Sequence, residues 1–227
     1  MTPTEIIAID GPAGAGKSTV TRLVAEAVGA DPLDTGALYR AVTAAVLSAG
    51  VDPAIDGALE SFLQNLEITT SPRVTIAGFE LSSPELRTSE VDSVVAVVAA
   101  STQVREAMRA VQREWASARP SVVVEGRDIG TVVFPDADLK VFLTADLGER
   151  ARRRSAQAGG SDASEVQSSL AERDERDTVR SHSPLRPAPD ASVIDTTTLS
   201  LEEVVQRVLT LWADSTSGDS GPVEGVS

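Results

Sequence analysis

Apolar residues recur along this chain in two rhythms, and the alternation between them outlines a succession of strands and helices. Apolar runs at residues 6–9 and 122–124, a buried-strand pattern at 139–143 interrupted by Lys140, and a further short stretch at Ser192–Asp195 carry many β-branched residues. Strands buried on both faces of a parallel sheet carry that pattern. Between the runs the period lengthens. Val20, Leu23, Val24, Ala27 and Val28 fall on one helical face, and Leu38, Val42, Ala45, Val46 and Ala49 form a second stripe that Gly50 closes. A third helical segment opens at Asp52-Pro53 and carries Leu59, Phe62, Leu63 and Leu66. Residues 68–71, 73–77 and 79–81 then read as three short strands with Ala77-Gly78 as a turn, a small antiparallel insertion. Ser89 and Asp92 make a capping-box pair ahead of Val91, Val94, Val95 and Val98, which favours a helix there over a strand. A helix over 102–118 buries Val104, Met108, Val111 and Trp115, while Arg105, Arg109 and Gln112 read as a solvated face. Ser200 and Glu203 cap a last helix with Leu201, Val204, Val205, Val208 and Trp212; from Asp214 onward the small polar residues lack a core-forming period and read as disorder.

Chemistry enters where the first apolar run ends. Gly11, Pro12, Ala13, Gly14, Ala15, Gly16, Lys17, Ser18 and Thr19 fit G-x-x-x-x-G-K-[ST], the phosphate-binding loop. The glycines let successive N–H groups point into one concavity, Lys17 adds a mobile charge, and Ser18 places a hydroxyl on the first turn of a helix, where Mg2+ can take it as a ligand. A glycine-rich turn of no function is disfavoured by the β-branched run before it and the amphipathic stripe after it. Glu125-Gly126-Arg127-Asp128 follows the run 122–124. Residues just past the carboxyl end of a central strand face the ligand crevice of an open α/β sheet. Glu125 then reaches Mg2+ through water, and Arg127 and Asp128 face a substrate; a plain charged turn is the alternative.

Composition narrows the class of ligand. A net charge of −14 argues against nonspecific nucleic-acid binding and against an anionic membrane surface. There are no cysteines, which excludes disulfides and thiolate metal sites. No apolar stretch approaches the roughly 20 residues of a membrane span, and the N-terminus shows no basic, apolar leader, so a cytoplasmic protein is expected. Of 18 arginines, eight lie between positions 150 and 186, namely Arg150, Arg152, Arg153, Arg154, Arg173, Arg176, Arg180 and Arg186, whereas Lys17 and Lys140 are the only lysines. Such a bias suits planar, bidentate recognition of phosphate, with intrahelical pairing to Glu149, Glu172, Asp174, Glu175 and Asp177 accounting for part of it. Residues 158–161 divide this region into two helices and suggest a movable lid. His182, the sole histidine, reads as a surface residue.

The segments IDGPAGAGKST at 9–19, LDTGALYR at 33–40, VREAMRAVQR at 104–113, EGRDIGTVVFPDADLKVFLTA at 125–145, RDERDTVR at 173–180 and PLRPAPDASVIDTTTLSLEEV at 184–204 resemble the bacterial cytidylate kinases. That resemblance implies an α/β P-loop kinase: a five-stranded parallel sheet flanked by helices, a small antiparallel β insertion and a short helical lid. Residues 1–65, 83–147 and 181–213 would be the core, 66–82 the monophosphate-binding insertion, 148–180 the lid and arginine-rich helices, and 214–227 a disordered tail. The implied reaction moves the γ-phosphoryl of MgATP to CMP or dCMP in a monomer without nucleic-acid or membrane partners. By the same resemblance residues 11–19 hold ATP, Lys17, Arg150 and Arg154 are catalytic, and Ser18 takes the Mg2+. Thr35, Arg40, Arg105, Arg127, Asp128, Arg173, Asp177 and Arg180 bind CMP, with Asp128 and Arg105 reading the cytosine edge. The chain departs from the family at residues 94–97, Val-Val-Ala-Val, where relatives often carry a small hydroxyl residue, so the order of CMP, dCMP and UMP stays open. Other acceptors, such as AMP, UMP or shikimate, and a GTP-dependent switch are the competing classes, the last lacking its N-K-x-D motif here.

Overall fold

Strand β1 (Glu5–Asp10) lies at the centre of a parallel sheet because every residue from Ile7 to Ile9 has a core to enter. It pairs with β6 (Ser121–Gly126) on one side and β7 (Leu139–Thr144) on the other; β2 (Asp31–Asp34) extends β6 and β8 (Ser192–Asp195) extends β7, all in parallel. The order is therefore β2-β6-β1-β7-β8. This computed structural model describes residues 4–157, 162–180 and 183–217. Successive side chains of a strand point to opposite faces, so each apolar run feeds two cores. Ala8, Val122 and Val124 face one cluster together with Leu38, Val42, Val98, Val104 and Met108. Ile7, Ile9, Val123, Val141 and Leu143 face the other, with Val20, Val24, Val204 and Val208.

The helices that supply these residues are α1 (Lys17–Val28), α2 (Thr35–Ser48), α3 (Ala58–Leu63), α4 (Ser89–Val98), α5 (Thr102–Ser117), α6 (Leu147–Gln157), α7 (Ala163–Thr178) and α8 (Leu201–Ser217). In α1 the buried apolar face is Val20, Val24 and Ala25, and Ala27 is exposed rather than packed. Residues 53–57 are turns, so α3 starts later than Asp52-Pro53 suggests, after Gly57 in a left-handed conformation. The cap of α4 is Thr88, not Ser89: its side chain accepts from the Val91 amide. The pair Ser200/Glu203 does form a capping box, with Ser200 N donating to Glu203 at 2.8 Å and Glu203 N to Ser200 at 3.2 Å.

The insertion folds as an antiparallel sheet of β3 (Ile68–Thr69), β4 (Thr75–Ile76) and β5 (Phe79–Glu80). Ala77 and Gly78, at φ 48 and 83, make its hairpin turn. Ile76 is fully buried against the α2 side of the core, which seats the insertion on the parallel sheet's own helices. Helices α6 and α7 pack on each other and bury Ala151 and Leu170. The lid turn expected at residues 158–161 and the surface position expected of His182 lie outside the described residues. Helix α8 runs through Ser217, past the expected end at Asp214, because Ser215, Thr216 and Ser217 turn their hydroxyls back onto the carbonyls of Trp212 and Ala213. The expected disorder of residues 218–227 also lies outside the described residues. Among the described residues, no helix is long and apolar enough to cross a membrane.

Candidate active site

The parallel sheet delivers its functional residues at one edge. β1 ends at Asp10, and the backbone turns at once through Gly11, whose φ is 150. A Cβ there would sit 2.1 Å from the Leu143 carbonyl oxygen of β7, so only glycine lets the loop leave the sheet at this point. Lys17, the first residue of α1, folds back and donates from Nζ to the Pro12 carbonyl at 2.9 Å, only 6% exposed. Residues 11–19 thus surround a buried ammonium, with Ser18 exposed on the first helical turn.

The register of β6 places its polar end beside this loop. Ile9 is opposite Glu125 and Asp10 opposite Gly126, while Asp34 of β2 flanks Glu125 from the other side. Thr35 does not present its hydroxyl to the crevice; it is buried and donates to the Glu125 carbonyl at 2.7 Å. In this structure Thr35 positions Glu125, and a direct bond from its hydroxyl to an acceptor would require breaking that contact. Ser18 is close enough to the Glu125 carboxyl to favour its charged form, and Glu125 Oε1 is buried without a hydrogen-bond partner.

Arginines from four helices and the end of β6 converge next to that pair. Arg127 Nε donates to Asp177 Oδ2 at 2.9 Å, and Arg180 reaches Asp177 Oδ1 at 2.6 Å. Arg105 on α5, expected from its helical face to be solvated, is buried; it meets Asp128 Oδ2 at 2.5 Å and lies over the Tyr39 ring, 5.6 Å from its centroid. Gln112 on that face is buried as well. The solvated reading fails there because β6 returns a carboxylate to Arg105 that no local pattern could reveal. Arg40 donates to the Leu86 carbonyl at 2.9 Å and to Asp92 at 2.5 Å. Arg150, buried, donates to the carbonyls of Ala145 (3.0 Å) and Ala13 (3.1 Å) and to Asp174 (2.5 Å), and so braces the phosphate loop. Arg154, half-buried one turn later, shares no hydrogen bond with that loop among the described residues. Arg152 and Arg176 form exposed pairs with Glu149 and Glu172, the intrahelical use of the arginine run.

The electrostatics tie these groups into one site. Burial first, and then Arg127, press the Lys17 ammonium well below the ordinary lysine range, with Arg173 a further depressing neighbour. Burial and then Asp34 push the Glu125 carboxyl up. Burial likewise lowers Arg173 to about 10, and Arg127 is its next depressing neighbour. Crowded, dehydrated cations of this kind gain most when a polyanion arrives.

Asp10, absent from the expected site residues, is 5% exposed and accepts from the amides of Ile129 (2.9 Å) and Gly130 (2.8 Å). Burial is the largest influence on it and raises its pKa from 3.8 to about 6. A raised carboxyl holds its proton longer in the folded state than in the unfolded one. Its contribution to stability is therefore complete below pH 3.8 and is lost as pH climbs through about 6. Urea titrations across this window should show wild-type stability declining relative to Asp10→Asn by up to about 3 kcal/mol.

For a metal, the donor set is hard: the Ser18 hydroxyl and the orphaned buried Oε1 of Glu125. Among the described residues no group of three or more acidic, histidine or cysteine side chains forms a protein cage for a cation. That set fits Mg2+, which keeps waters and substrate phosphates as most of its ligands.

Comparison with known proteins follows this geometry. Residues 7–214 match the cytidylate kinase family. The chain is 47% identical over 211 residues to the cytidylate kinase of Mycobacterium leprae (strain Br4923), covering 91% of this chain and 94% of that one. It is 44% identical over 236 residues to the bifunctional pantoate ligase/cytidylate kinase of Prochlorococcus marinus (strain MIT 9303), covering 99% of this chain but only 48% of that protein's length. Among solved structures, a gluconokinase from Sinorhizobium meliloti 1021 superposes with a TM-score of 0.50 at 18% identity, covering 95% of each chain. At that identity the likeness speaks for the fold alone.

Proposed function

Because this chain belongs to the cytidylate kinase family, we propose that it transfers the γ-phosphoryl group of ATP to CMP or dCMP, giving ADP and CDP or dCDP. The observation that carries the assignment to these residues is the register of β6 on β1, which sets Gly126 against Asp10 and so brings Arg127, tied through Asp177 to Arg180, to the start of the phosphate loop. Two polyanions need a dense set of donors to lie end to end.

The acceptor phosphate, with a second pKa of about 6, is already largely dianionic near neutrality, so attack needs no general base. Residues 11–19 hold the ATP phosphates, with Lys17 at the transferring end. Arg40, Arg127 and Arg180 grip the acceptor phosphate, while Arg173 and Asp177 lie at its phosphate or ribose. Asp128, fixed by Arg105, reads the N4 amino group of cytosine, and Arg105 the ring's acceptors. Arg150 and Arg154 on α6 close over the group in transfer. Mg2+ held by Ser18 and, through water, by Glu125 would neutralise phosphate charge. The enzyme acts as a cytoplasmic monomer.

A coupled ADP-release assay over CMP, dCMP, UMP and AMP tests this. CMP and dCMP should be turned over with the highest kcat/KM. A preference for UMP or AMP would remove the cytidylate assignment, and the Val-Val-Ala-Val stretch at 94–97 makes UMP the informative competitor. In α4 the Ser93 hydroxyl donates to the Glu90 carbonyl at 2.7 Å on the exposed side.

A further inference from the structure

We infer that Asp10 is a positioning residue for base recognition: it fixes the peptide that carries Asp128 and locks it to the start of the phosphate loop. This rests on the proposed role of Asp128 at the cytosine edge.

The connection after β6 is a π-helical turn, Ile129–Val133. The Asp128 carbonyl accepts from Val132 at 2.9 Å and Val133 at 3.1 Å, and the Ile129 carbonyl from Phe134. The first amides of such a turn have no acceptor within it. Asp10 supplies one, with Oδ1 on Ile129 N and Oδ2 on Gly130 N. The Asp128–Ile129 peptide is thus held at both ends, its carbonyl by the turn and its N–H by β1. Asp128 itself sits at φ −142 and ψ 26, outside both the helical and the strand regions, and its side chain projects to Arg105. If the peptide rotated, the carboxylate would leave that line.

A buried charged acceptor is a costly way to satisfy two amides, since neutral side chains do the same in most turns. What a carboxylate adds is a simultaneous, rigid grip on two consecutive N–H groups. Its location adds a second constraint. Asp10 is the residue before Gly11, so one side chain sets the distance between the loop that takes the donor and the residue that reads the acceptor. Transfer in line depends on that distance. Lys17 and Asp128 lie nearby, yet Asp10 makes no hydrogen bond to their side chains among the described residues; both of its oxygens are committed to the turn.

The test compares kcat/KM for CMP and UMP in wild type, Asp10→Asn, Gly130→Ala and a stability control, Val208→Ala, which opens the core where α8 covers the sheet. Asn keeps the size and one acceptor but sets an N–H against an amide. In Gly130→Ala the new Cβ meets Lys140 Cγ at 3.1 Å and Cδ at 3.2 Å, pushing the same turn from its other face. The expected result is a fall of about tenfold in the CMP/UMP ratio in both turn variants, carried by the KM for CMP, with the KM for ATP within about twofold. Val208→Ala should lower the melting temperature and leave the ratio intact. If wild type prefers CMP and both turn variants keep that preference, Asp10 is merely structural and the inference falls while the cytidylate assignment stands. If wild type shows no preference for CMP, both fall together. Should Asp10→Asn fail to fold, Gly130→Ala alone decides.

Discussion

Lys17→Ala should lower kcat by about a thousandfold or more while the far-ultraviolet dichroism and cooperative unfolding remain those of wild type. The side chain is buried yet, among the described residues, contributes only one hydrogen bond to the fold, to the Pro12 carbonyl. Burial and Arg127 already disfavour its charge, so its removal relieves a cost to the fold and stability is preserved. What is lost is the charge that meets the phosphate oxygens in transfer. Rapid-quench measurement of one turnover separates this from slow release: the deficit should reside in the chemical step. Near-normal single-turnover rates would remove Lys17 from the transferring end.

Asp128→Ala should raise the KM for CMP about a hundredfold, with the KM for ATP nearly unchanged. A site built to pair with a polar edge discriminates strongly once that partner is gone. The variant also leaves the Arg105 guanidinium buried with its carboxylate removed and its Nε already without a partner. A drop in stability on the order of 3 kcal/mol should accompany the kinetic change. Asp128→Asn, which restores a hydrogen-bond acceptor, should recover most of the stability and little of the affinity for CMP. Unchanged CMP kinetics in Asp128→Ala would show that the base is read elsewhere.

The strands and the phosphate loop were legible because their signals are local. A β-branched run followed by G-x-x-x-x-G-K-[ST] defines both the end of β1 and the start of α1, and the structure places them so. The residues missed are those whose partners are distant in sequence. Asp10 looks like the polar residue that merely ends an apolar run; its two amides lie 119 and 120 positions away. Arg105 looks from its helical face like one charge among several on α5; the family resemblance, not the local pattern, couples it to Asp128, which the structure places against it. Asp92 reads locally as a capping-box member and Asp174 as an intrahelical partner, and neither reading points to Arg40 or Arg150, which they hold. Caps fail by a residue for a different reason, since Thr88 and Ser89 are chemically equal candidates and only backbone dihedrals separate them.

Five arginines around the crevice are already matched: Arg40 with Asp92, Arg105 with Asp128, Arg127 and Arg180 with Asp177, Arg150 with Asp174. A small anion such as chloride therefore finds each of these five guanidinium groups already answered, and a lone negative charge gains little by evicting a tethered carboxylate. A nucleotide dianion can exchange several partners at once. The built-in carboxylates act as a filter on ionic background, letting a net acidic protein keep a cage of guanidinium groups available in crowded, salty surroundings.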